Sequence, residues 1–138
     1  MADGDCTGLA MLRDSSAWIG IRKGGSSTKI SMWTGLAMTS TWATSSTGYE
    51  VASETISGSR VWLRIYADIH VGSDKEASFY YSTDGQNFKK LGSLVLESSW
   101  QFFLGYRYAI FNFATKALGG NVQVESFTVN APGLTTSG

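Results

Sequence analysis

With 138 residues, eleven basic and eleven acidic side chains and a pI near 6.6, the chain carries one domain's worth of sequence and no net charge. Its cations are scattered apart from Arg22-Lys23 and Lys89-Lys90, which leaves no electrostatic footprint for nucleic acid or an anionic membrane. No apolar stretch approaches the length of a membrane-spanning helix, Met1-Ala2-Asp3-Gly4-Asp5 is acidic where a secretory leader is basic and then apolar, and the single Cys6 cannot form an internal disulfide.

Sixteen glycines, one proline, abundant Ser and Thr and 13% aromatic residues predict an all-β domain over residues 1–131, with 132–138 as a tail or linker stub. Strands are predicted over 7–13 and 17–22, a hairpin in which Ala17, Ile19 and Ile21 share one face and Trp18, Gly20 and Arg22 the other. A third covers 29–34, with Ile30 and Met32 alternating against Ser31 and Trp33. Residues 35–48 are polar and read as a long loop, in which Trp42 either pins the loop to the body or faces a ligand.

A mixed strand over 49–56 precedes the clearest strand, 60–70. Val61, Leu63, Ile65, Ala67 and Ile69 make one apolar face, and Trp62, Arg64, Tyr66, Asp68 and His70 make the other. Residues on that second face recur about every 6 to 7 Å, the width of a sugar ring, so the row can follow a short oligosaccharide or serve as a plain outer face. Residues 77–81 and 88–91 form a hairpin around Asp84-Gly85, whose residue types supply left-handed turn positions. A last strand is predicted over 121–130, with a bulge near Glu125-Ser126 to reconcile the parities of Val122/Val124 and Phe127/Val129.

The run from Ser99 to Phe113 is dominated by aromatic and aliphatic side chains, interrupted by Gln101, Arg107 and Asn112. Such a mixture suits a pyranose, whose C–H faces stack on rings while its hydroxyls need fixed donors and acceptors. The alternative is that the run fills core strands. Candidate carbohydrate contacts are Trp42, Trp62, Arg64, Tyr66, Trp100, Gln101, Tyr106, Arg107 and Asn112; Tyr106 and Arg107 cannot face the same side of a regular strand.

Catalytic chemistry is thinly supplied. One His and one Cys lie far apart, and nucleophile-elbow, phosphate-loop and Cys/His metal spacings are missing. No catalytic residue and no cofactor is assigned; the metal that the composition admits is calcium, held by Asp3 or Asp5 with backbone carbonyls.

Taken in order, Asp3-Gly4-Asp5 through Thr7-Gly8-Leu9-Ala10, Ala17-Trp18-Ile19-Gly20, Glu50-Val51-Ala52-Ser53, Val61-Trp62-Leu63-Arg64, Phe79-Tyr80-Tyr81-Ser82-Thr83-Asp84-Gly85 with Phe88, Trp100-Gln101-Phe102-Phe103 and Gly105 to Asn112 resemble a known family. The resemblance is to the C-terminal concanavalin-A-like β-sandwich of family-43 glycoside hydrolases, the β-xylosidases and arabinofuranosidases. It implies a non-catalytic jelly roll of two antiparallel sheets that binds xylan, arabinoxylan or a related saccharide, as a lectin or binding module. The alternative it implies is a structural module that packs on a catalytic partner or on itself. The family's catalytic propeller does not appear in this sequence, and the family's module begins several strands earlier. Uncovered sheet edges are therefore expected to drive self-association. A secreted location follows if the chain belongs to a glycosidase, and cytoplasmic storage if it is a stand-alone lectin.

Overall fold

The computed structural model describes residues 1–13, 15–68, 75–96 and 107–129. Eight strands are found among them: β1 (Asp5–Leu12), β2 (Ser15–Gly24), β3 (Ser27–Met38), β4 (Thr44–Ile56), β5 (Trp62–Ala67), β6 (Glu76–Ser82), β7 (Lys89–Val95) and β8 (Arg107–Ala114). They pair antiparallel into a five-stranded sheet, β4-β3-β2-β1-β8, and a three-stranded sheet, β5-β6-β7. The sheets stack so that β5 lies against β1, β6 against β2, and β7 against β3 and β4.

Period-two alternation decides which side chains enter the gap. Met11, Ala17, Ile19, Ile30 and Met32 come from the larger sheet and Ala77, Phe79 and Tyr81 from β6, with Leu63, Ile65, Leu91 and Leu94 packed around them. The interior partition of β2, β3 and β5 agrees with the alternation in the sequence. On the outer face of the larger sheet, the row Gly8, Gly20, Ser31 and Ser53 runs across four strands. Here Gly8 and Gly20 face each other so closely that a Cβ on Gly8 would sit 2.2 Å from the Ile19 carbonyl oxygen. Only glycine allows that approach.

Two predicted boundaries are corrected. The polar stretch 35–48 is mostly ladder: β3 continues to Met38, β4 starts at Thr44, and only 39–43 forms the connection. Backbone pairing is indifferent to side-chain polarity at an exposed edge, and register shifts at Met32/Trp33 and Ala37/Met38 absorb the irregular sequence. Residues 121–129, predicted as a strand, form no ladder, and Val122, Val124, Phe127 and Val129 are exposed. Alternation alone does not make a strand; its backbone groups need a neighbour. The segment is tied to the approach to β5 by an ion pair from Arg60 to Glu125, 2.7 Å. Ile69, His70 and most of the 99–113 run lie outside the described residues, the run's last seven positions excepted, which open β8.

Candidate functional site

The outer face of the three-stranded sheet carries a shallow recess of about 440 Å³ lined by Arg64, Tyr66, Tyr80 and Phe88. Strand β5 presents Trp62, Arg64 and Tyr66 on this face because Leu63 and Ile65 are drawn into the core. Arg64 stands directly across from Tyr80 on β6, and Tyr66 across from Ser78. The Arg64 guanidinium lies 3.7 Å from the centre of the Phe88 ring, a cation–π contact that fixes the side chain without using its N–H donors. Neither those donors nor the hydroxyls of Tyr66 and Tyr80 meet a hydrogen-bond partner among the described residues. Tyr66 is 49% exposed. Beside the recess, Lys90 pairs with Glu76 at 3.3 Å. The Ser93 hydroxyl, and then this ammonium, hold the Glu76 carboxyl below its usual range.

Trp62 closes one end of this face, seated on the turn between β6 and β7. That turn is built by Asp84. Its Oδ1 accepts from the backbone N–H groups of Gln86 and Asn87, both 2.8 Å, and from the Ser82 hydroxyl, while Oδ2 accepts from Asn87 Nδ2. These donors, the Asn87 and Gln86 amides foremost, hold its carboxyl far below the ordinary value. Gly85 adopts φ +77°, and a Cβ there would come within 2.8 Å of the Trp62 ring. The sequence reading of Asp84-Gly85 as a structural turn therefore extends to a seat for a tryptophan.

A second cluster lies on the outer face of the larger sheet. Trp18 and Trp33 stack at 5.7 Å, Phe111 meets Trp18 edge-on at 5.2 Å, and Arg22 lies 5.0 Å from the Trp33 ring centre. Arg22 also reaches Glu50 at 3.4 Å.

Of the nine candidate contacts, Trp62, Arg64 and Tyr66 come together. Trp42 stands on the β3–β4 connection, 70% exposed with φ 65°, so it does not pin the loop. That connection belongs to the side of the sandwich where β7 lies, away from β5. Arg107 and Asn112 are exposed on β8 but differ in parity and face opposite sides of the sheet. Trp100, Gln101 and Tyr106 lie outside the described residues. The calcium expectation finds no support in the geometry: Asp3 accepts from the Gly25 amide and the Lys116 ammonium, and Asp5 from the Ala2 amide. No group of three His, Cys, Asp or Glu suited to a metal occurs among the described residues.

The family described as the β-xylosidase C-terminal concanavalin A-like domain matches residues 1–130. The chain belongs to that family. Among solved structures, this domain is similar to a family-43 glycoside hydrolase engineered to display both endo-xylanase and exo-arabinofuranosidase activity, with a TM-score of 0.78, 38% identity and 87% of this chain covered. It is also similar to a bifunctional GH43-CE protein from Bacteroides eggerthii, with a TM-score of 0.65, 29% identity and again 87% of this chain covered. It spans only 25% of the first and 15% of the second. No curated protein matches it. What the domain shares with these enzymes is their C-terminal concanavalin-like module.

Tyr80 and Phe88 complete the recess and were not among the residues expected from sequence. The alternation Ala77/Phe79/Tyr81 against Ser78/Tyr80 marks Tyr80 as outward-facing. Its place beside Arg64 depends on register, which one strand's sequence does not state.

Proposed function

We propose that this domain is a non-catalytic carbohydrate-binding module or lectin for xylan, arabinoxylan or a related plant-type saccharide, and that the β5–β6 recess is its contact surface. The observation that carries the reading is a set of polar groups with no hydrogen-bond partner among the described residues, above an aromatic floor: Arg64 clamped on Phe88, with the Tyr66 and Tyr80 hydroxyls beside it. A pyranose needs ring faces for its C–H groups and donors and acceptors at fixed places for its hydroxyls. Trp62, seated at the end of the row, adds a further stacking plane. The match to the C-terminal module of glycoside hydrolases supports a role in presenting polysaccharide to an attached catalytic unit, and with it an extracellular setting. No helix among the described residues is long and apolar enough to cross a membrane.

Calorimetry with xylo- and arabino-oligosaccharides tests this. Arg64→Ala and Tyr66→Ala should each weaken binding about tenfold, the loss expected for a charge-assisted hydrogen bond or a stacked ring. Absence of binding across the series would overturn the reading in favour of an interaction module. A specific observation supports that second reading. Among the described residues, the inner face of β8 extends past the smaller sheet and leaves Tyr108 and Ile110 exposed, at 41% and 46%, on a surface suited to a second copy or a catalytic partner.

A further inference from the structure

The outer row of β5 does not end at Trp62. Two residues earlier stands Arg60, whose guanidinium lies 6.0 Å from the centre of the Trp62 ring and 2.7 Å from the Glu125 carboxylate. We propose that Trp62, Arg60 and Glu125 form a second saccharide subsite, continuous with the β5–β6 recess, in which the indole takes a ring face and the ion pair takes the hydroxyls of the same ring. The inference rests on the proposed function in taking the ligand to be a saccharide.

The pair is open to water, with side chains 61% and 56% exposed. Arg60 donates one hydrogen bond, to Oε1 of Glu125, and among the described residues neither side chain makes another. Further guanidinium donors and the second carboxylate oxygen are therefore available to a ligand. Held against each other, the two groups present donors and acceptors in fixed places, which is what neighbouring sugar hydroxyls require. At 6.0 Å the guanidinium is at the outer limit for a cation over a ring, so it does not seal the partly exposed indole. The β6–β7 turn backs that indole through Gly85 and keeps it in place.

Glu125 comes from a segment that strand pairing does not position. Residues 121–129 form no ladder, and among the described residues no other hydrogen bond or ion pair holds them. An exposed ion pair adds little to stability, so the consequence of this one lies in what it places beside Trp62. Val61 packs against the core as Leu63 does, which continues the alternation of β5 one step beyond its ladder. Alternate residues of a strand stand about 6.6 Å apart, so Tyr66 to Trp62 spans about 13 Å and the step to Arg60 brings the row to about 20 Å. A disaccharide fills the Arg64–Tyr66 end of this row, and a tetrasaccharide reaches the ion pair.

Calorimetry with xylobiose and xylotetraose, on wild type, Arg60→Ala and Glu125→Ala, tests the subsite. Xylotetraose should bind wild type about tenfold more tightly than xylobiose, and each variant should weaken xylotetraose about fivefold, the loss expected for one hydrogen bond at an open site. Xylobiose should bind all three proteins equally, which also shows that these exposed substitutions leave the fold intact. The Trp62 indole N–H resonance should shift with xylotetraose in wild type and shift less in both variants. Equal affinity for the two sugars, a loss that falls equally on both, or tighter binding in the variants would overturn the subsite while leaving the recess standing. Failure of both sugars to bind wild type would overturn the proposed function itself, and the subsite with it.

Discussion

At the scale of single residues, two positions bear more than their size suggests. Gly8 and Gly20 let two strands approach until a single methyl would collide with main chain on the other side. Backbone cannot yield as a side-chain tip does, so Gly8→Ala should destabilise the domain by about 3 kcal/mol, the upper part of the range for overpacking, as measured by urea denaturation. Tyr81 is nearly buried, and its hydroxyl donates to Glu54, which also receives the Lys89 ammonium. Burial foremost, and then Glu54, push the Tyr81 phenol up to about 12. The Lys89 contact, followed by the Tyr81 hydroxyl, holds Glu54 below its ordinary value. A depressed carboxyl stabilises the fold above its unfolded pKa of about 4.3 and loses that contribution as pH falls through the folded value. The stability gap between wild type and Tyr81→Phe should therefore be full at neutral pH and shrink below about pH 4. A gap that persists unchanged into acid would show that Glu54 is not the partner that matters.

At the scale of elements, the β6–β7 turn does more than reverse the chain. Asp84 gathers four donors, and the resulting loop supports the indole of Trp62 through Gly85. Asp84→Ala should lower the melting temperature and also alter the tryptophan emission, since the ring's seat is lost along with the turn. A fall in stability with unchanged emission would separate the turn from the recess. This element was legible from sequence because Ser-Thr-Asp-Gly dictates local geometry. The alternating pattern of β5 was equally legible, since Leu63 and Ile65 announce the buried side and leave Arg64 and Tyr66 outside. Two features escaped because they depend on partners. Polar residues 44–48 joined β4 through backbone pairing that side chains do not encode, and the apolar alternation of 122–129 produced no ladder. Tyr80 escaped for the same reason, since only its registered neighbour β5 sets it beside Arg64, and Phe88, at the end of the β6–β7 connection, joins the recess through its contact with Arg64.

At the scale of the whole molecule, five strands stand over three among the described residues, and the imbalance falls on β8. Its inner residues Tyr108 and Ile110 lie in the row of Met11 and Leu9, which the core covers, yet they remain substantially exposed. Surface of that kind is expected to be covered by association. Light scattering over a concentration series should show a mass that rises above the monomer and returns to it in Ile110→Lys, whereas a compact monomer at high concentration would count against the idea. Burial of β8 in this way would leave the β5–β6 recess free, because that recess opens on the opposite side of the smaller sheet from the core.

The most direct test of the account is an amide chemical-shift titration of the domain with a neutral xylo-oligosaccharide. The predicted outcome is a saturable response confined to residues 62–66, 80 and 88, abolished in Arg64→Ala. A flat titration, or a saturable response that leaves those residues unmoved, would contradict it.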